Sequence, residues 1–131
     1  MSAFLTNVRV EILPPNEVRD RQQYVLTAPF VYQSEILGRI EVPPGFKTDF
    51  ASIPRIAWRY IDPEDKAILY PSVVHDFLYS PPAPDAVRPW TREQADQVLR
   101  EAMFLAGARI DQRAVVYRMV RLFGGSHWKT L

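Results

Sequence analysis

Cysteine is absent from this 131-residue chain, which excludes disulfides, thiolate metal sites, iron–sulfur clusters and cysteine nucleophiles together. Glycine is scarce, at 5 residues, and the pair Gly124-Gly125 lacks the spacing of a phosphate-binding loop. Ser52 lacks the flanking glycines of a nucleophile elbow, so a serine hydrolase has no foothold. No apolar run approaches the roughly 18 residues of a membrane span. Met1-Ser-Ala-Phe-Leu lacks the basic and apolar regions of an export signal. Excess charge is missing too: 16 Lys+Arg stand against 15 Asp+Glu, a net +1, so nothing drives phosphate-dominated binding of nucleic acid.

What is present is the material of one folded domain. The chain is 47% hydrophobic and 24% charged, with 7 Phe, 6 Tyr and 3 Trp to fill a core, and its length suits a single domain over 1–131. The 12 prolines are spread as punctuation between short elements, and no internal repeat is visible.

The first half, 5–50, reads as strands. Val8 to Leu13 alternates apolar and polar until Pro14-Pro15, which is expected to end the strand. Residues 23–27, 30–32 and 36–42 are rich in β-branched and aromatic side chains, and one small antiparallel meander is the economical arrangement. Residues 43–49 are then expected to turn the chain out of the sheet.

The second half, 52–125, reads as helices. Ser52 and Pro54 open a short helix through Tyr60, and Asp62-Pro63 opens another that Pro71 restarts or kinks, leaving a segment of 71–79. Thr91-Arg92-Glu93-Gln94 has capping-box spacing, and Ala95, Val98, Leu99, Ala102, Met103 and Ala106 share one face before Gly107 stops the helix. Asp111 can cap a last helix whose buried stripe is expected to be Val115, Met119, Leu122 and Phe123. Arg109, Arg113, Arg118 and Arg121 then fall on its solvated side, where they can also meet an acidic partner. The fold class is α+β: a small N-terminal antiparallel sheet packed against three or four C-terminal helices.

Chemistry concentrates at Thr48-Asp49-Phe50-Ala51-Ser52-Ile53-Pro54-Arg55, at His75-Asp76, at Tyr79 and at Asp96. Asp49 and Ser52 have a plain use as helix caps. His75 and Asp76 sit in an apolar helical segment, where each must find a partner or lose several kcal/mol of hydration. His75 and Tyr79, one turn apart, share a face, with Asp76 rotated about 100° away. Asp96 lies at the edge of the apolar stripe of the Thr91 helix. Packed against the 71–79 helix, it can accept a hydrogen bond from His75 and fix the imidazole's tautomer. The dyad has two uses, as a catalytic pair or as a buried tie between helices. The same residues also admit a cation site, with His75, Asp76, Asp49 and Asp96 as candidate ligands, Asp76 and Asp49 foremost: a hard cation such as calcium suits the carboxylates alone, and zinc or manganese if the imidazole joins.

Two resemblances attach to these residues. The ordered series Gly45-Phe-Lys-Thr-Asp-Phe-Ala-Ser-Ile-Pro-Arg55, Val74-His-Asp-Phe-Leu-Tyr79, Arg92-Glu-Gln-Ala-Asp96, Gly107 and Arg121 to Trp128 resembles a family of bacteriophage and prophage proteins known as domain of unknown function 1353. It covers about 25–128 and implies a virion-associated or lysis-related accessory protein, found in the virion or host cytoplasm, with other virion proteins or a host envelope component as partners.

Locally, His75-Asp76-Phe77-Leu78-Tyr79 followed by a helix with Asp96 is similar to the active-site helix pair of secreted phospholipases of the A-two type. That similarity implies His75 as general base, Asp76 as calcium ligand, Asp96 as the carboxylate orienting the histidine and Tyr79 as its support. The chain departs from those enzymes in having no cysteine and no glycine-rich calcium loop, with only Gly45 and Asp49 nearby. Two functions follow as expectations: hydrolysis of an envelope component at a His75–Asp96 site assisted by a cation, or a non-enzymatic tail or baseplate protein that uses the same residues as a buried polar network.

Overall fold

The computed structural model describes residues 1–16, 21–48, 53–54, 57, 65–80 and 88–128. Within them six strands precede three helices: β1 (Ala3–Phe4), β2 (Val10–Asn16), β3 (Arg21–Leu26), β4 (Phe30–Ser34), β5 (Gly38–Val42), β6 (Lys47–Thr48), α1 (Lys66–Tyr79), α2 (Arg92–Leu105) and α3 (Ile110–Phe123). A 3-10 turn, Gly124–His127, follows α3 directly. The architecture is α+β, as the sequence predicts. Most of the expected helix over 52–60, all but residues 53, 54 and 57, lies outside the described residues, as do the start at Asp62-Pro63, the proline-rich residues 81–85 and Asp49.

The strands form two three-stranded antiparallel sheets, ordered β1-β4-β5 and β2-β3-β6, where the sequence pattern predicts one meander. The division falls between β3 and β4, which are consecutive in the chain yet pair in different sheets. Two further expectations change. β2 continues through Pro14-Pro15 to Asn16, with its pairing to β3 shifted between Leu13 and Asn16, since an irregular ladder tolerates residues that donate no N–H. Lys47–Thr48, expected to lead away from the sheet, pairs with β3 through Val25 and Tyr24.

β4 and β5 form a tight hairpin in register from Phe30↔Val42 to Ser34↔Gly38. The Ser34 hydroxyl accepts from the backbone N–H groups of Ile36 and Leu37, and Gly38 takes φ 77, a left-handed value that side-chain-bearing residues resist. The hairpin presents Phe30, Tyr32, Ile40 and Val42 to the core. Tyr32 reaches out of it to the helices: its hydroxyl donates to Glu101 Oε1 at 2.7 Å, joining β4 to α2.

α1 is the central element. Every residue from Pro71 to Asp76 is buried, and Leu78 and Tyr79 follow, so beyond its first turn the helix has no solvent face and no amphipathic stripe. It starts at Asp65, whose side chain accepts from the Ala67 N–H, and runs unbroken through Pro71 rather than restarting there. The proline removes one intrahelical donor, a loss that packing on all sides outweighs. Its last carbonyls are covered by the segment leading into α2: Arg88 donates to Tyr79 O at 3.1 Å, and Trp90 Nε1 donates to Leu78 O at 3.0 Å.

α2 keeps the predicted start and stop. Thr91 and Gln94 form a reciprocal capping box, and Gly107, at φ 89, follows the C-cap Ala106. α3 differs. Arg109 is its N-cap and Asp111 lies inside its first turn. Its buried residues are Val116 and Val120, while Leu122 and Phe123 are 65% and 53% exposed. The apolar surface of α3 is wider than the strip α2 can cover, so periodicity alone names too many core residues.

Candidate functional site

Asp96 is the centre of the polar cluster. It lies on the face of α2 that also carries Ala95, Leu99 and Met103, and it is 0% exposed. A carboxylate without solvent must receive its hydrogen bonds from the protein. It receives them from both neighbouring helices. From α1, His75 Nε2 lies 2.7 Å from Oδ1, and the Tyr79 hydroxyl donates to the same oxygen at 2.6 Å. From α3, Arg121 Nη1 donates to Oδ2 at 2.7 Å.

The electrostatics follow from this geometry. Burial alone would raise the pKa of Asp96, but the hydrogen bonds from His75, Tyr79 and Arg121 outweigh it and hold the pKa below its ordinary value. An ionised carboxylate only accepts, so His75 Nε2 carries a proton and donates it to Oδ1. Burial, reinforced by Asp96, pushes the Tyr79 hydroxyl well above the usual phenol range, and it stays protonated as a donor. Arg121 is held charged more firmly by its bond to Asp96.

A second layer closes around the first. Arg92 Nε donates to the Tyr79 oxygen at 3.2 Å, and Arg92 Nη2 donates to the backbone carbonyls of Val120 and Arg121, each at 2.8 Å. These carbonyls belong to the last turn of α3, where a cation both satisfies acceptors and opposes the helix dipole. The His75 and Tyr79 rings lie 4.2 Å apart, centroid to centroid, and the Trp128 ring meets Tyr79 edge-on at 5.1 Å. Trp128 thus packs on the cluster from beyond the end of α3.

The structure joins His75, Tyr79 and Asp96 as the spacing predicts. It adds Arg121, which the charge pattern puts on the solvated side of α3, and Arg92, which the capping-box spacing marks only as part of a helix start. For Arg92 a signal exists, because four residues before Asp96 on a helix is one turn away on the same face. For Arg121 there is none, since its partner is 25 positions distant. Asp76 is buried on α1, next to the dyad in sequence. Among the described residues no group of three or more His, Asp or Glu is arranged to hold a metal ion. His75 is 0% exposed.

This is an α+β domain whose helices meet on one buried carboxylate. Residues 24–120 match the family described as protein of unknown function (DUF1353), and the chain belongs to that family. No curated protein and no solved structure matches it. Among the described residues no helix is long and apolar enough to cross a membrane.

Proposed function

We propose that this chain is a non-enzymatic structural component of a phage particle, of the tail or baseplate kind, in which the Asp96 cluster locks three helices into one unit. The phage setting rests on the resemblance carried by the ordered motifs, and it makes other virion proteins the partners and the virion or host cytoplasm the location. The non-enzymatic role rests on one observation: His75 and Asp96 both have 0% exposure. A general base must touch substrate or water, whereas a structural tie works best sealed, where the low dielectric strengthens each satisfied bond.

Asp96→Asn and His75→Ala variants test the role through melting temperature and particle assembly. Both properties are expected to fall together. A His75→Ala chain that melts like the parent but abolishes a chemical activity would overturn the reading.

A hydrolytic reading has its own observation in favour: the protonated Nε2 of His75 and the Tyr79 hydroxyl share Oδ1 of Asp96, the arrangement by which a carboxylate orients an imidazole base. In that reading His75 is the base, Asp96 and Tyr79 position it, and Asp76 with Asp49 are the candidate ligands of calcium or zinc. The substrate is an ester of a host envelope component. Release of fatty acid from phosphatidylethanolamine and phosphatidylglycerol vesicles, with each cation in turn, is its assay. Turnover lost in His75→Ala establishes this reading, and no turnover with any cation removes it.

A further inference from the structure

The outer side of the helical layer is built unlike the rest of the surface. Between the C-terminal half of α2 and the outer face of α3 lies an open groove of about 970 Å3. Its floor is apolar: Phe104, Ile110 and Leu122 are 70%, 76% and 65% exposed. Monomers rarely leave so many large apolar side chains together in water, and such a patch marks a binding surface.

The rim is basic. Arg100, Arg113 and Arg118 line the groove, and among the described residues none of them has a carboxylate at ion-pair distance. Two are held against the aromatic floor: the Arg100 guanidinium lies 4.3 Å over the Tyr117 ring and that of Arg113 4.8 Å over Phe104. The two acidic residues of the groove are already engaged. Glu101 accepts from the Tyr32 hydroxyl and the Glu35 N–H, and Glu35 lies 3.6 Å from the N-terminal amine. The groove therefore holds local positive charge on a chain whose net charge is only +1.

We propose that this groove docks an acidic amphipathic peptide segment of a partner protein, its apolar side on Phe104, Ile110 and Leu122 and its carboxylates on Arg100, Arg113 and Arg118. The inference goes beyond the structural reading above and stands on the groove itself. Charge complementarity selects the occupant. A second copy of this chain, paired symmetrically through the same face, would set the arginine cluster against itself. A small molecule fits poorly, because its sites enclose most of the ligand, and this floor lies open.

The test uses the full chain and a fluorescein-labelled helical peptide with leucines at i, i+3, i+4 and i+7 and glutamates elsewhere. Fluorescence anisotropy is expected to give saturable binding, at least about tenfold tighter than for the same peptide with lysines in place of the glutamates or with its leucines scrambled. Ile110→Glu and the double variant Arg113→Glu/Arg118→Glu are each expected to weaken it by about tenfold or more. Both change exposed or half-exposed positions, and unchanged helical circular dichroism checks the fold.

Equal binding of the glutamate and scrambled peptides, or indifference to both variants, overturns the proposal. So does a dimer seen by sedimentation that Ile110→Glu dissolves. These outcomes leave the Asp96 reading standing. Conversely, His75-dependent vesicle hydrolysis with intact peptide binding removes the structural reading and spares the groove.

Discussion

Tyr79 and His75, one helical turn apart on α1, converge on a single oxygen of Asp96, at 2.6 and 2.7 Å. The second oxygen is taken by Arg121 from α3, so one side chain of α2 holds both neighbouring helices. Deleting a member of such a cluster strands the others in a dry interior, which makes the expected costs unequal.

Asp96→Ala is expected to be the most damaging single change at the cluster, by about 3–5 kcal/mol, because it leaves buried donors and a cation uncompensated. Asp96→Asn keeps the shape but turns an amide NH2 toward Arg121 or toward His75 and Tyr79, and it should cost less than alanine. Urea denaturation of the two variants checks the order. A loss below about 1 kcal/mol for alanine would show that the network contributes little.

Tyr79→Phe removes one donor to Asp96 and the acceptor of Arg92, while His75 and Arg121 still serve the carboxylate. A loss of about 1–2 kcal/mol is expected by the same measurement. The pKa of the Tyr79 hydroxyl is held above its ordinary value by burial and Asp96, so its contribution is full below about pH 10. Above that pH the unfolded chain ionises first and stability declines. The Phe variant should show a shallower alkaline decline than the parent.

At acid pH the sign reverses. Asp96 is held below its ordinary value in the folded chain, so its stabilisation is complete above about pH 4, the unfolded range, and is lost as pH falls through the folded value. Denaturation midpoints followed downward from pH 6 should drop for the parent and drop less for Asp96→Asn. Parallel curves would place the acid sensitivity in other carboxylates.

Two changes at the ends of α2 test its boundaries. Gly107 holds φ 89 with open space where a Cβ would stand, so Gly107→Ala meets backbone strain alone and should cost about 1–2 kcal/mol. Thr91→Ala breaks the capping box and should cost about 1 kcal/mol. Thermal melts of both variants are the check.

Much of this could be read from residue order. The α+β class, the cap at Thr91, the stop at Gly107 and the approach of His75 and Tyr79 to Asp96 each follow from local rules: side-chain spacing, capping chemistry and the need of buried polar groups for partners. Pro71 and Pro14-Pro15 were misleading because their penalties are local, and packing or an irregular ladder overrode them. On α3 periodicity extends the stripe too far: Leu122 and Phe123 satisfy the helical period yet face outward, while Met119 packs against the core.

The sequence by itself determined where α2 begins and ends, and that a histidine and a carboxylate of different helices would need each other, since caps and desolvation act over a few residues. Only the tertiary structure decided that two sheets form, that Arg121 and Arg92 complete the cluster, and that an arginine-rimmed apolar groove stays open. Those outcomes depend on which surfaces meet across long stretches of chain, and contact between distant residues is set by the packing of the whole, which no local pattern encodes.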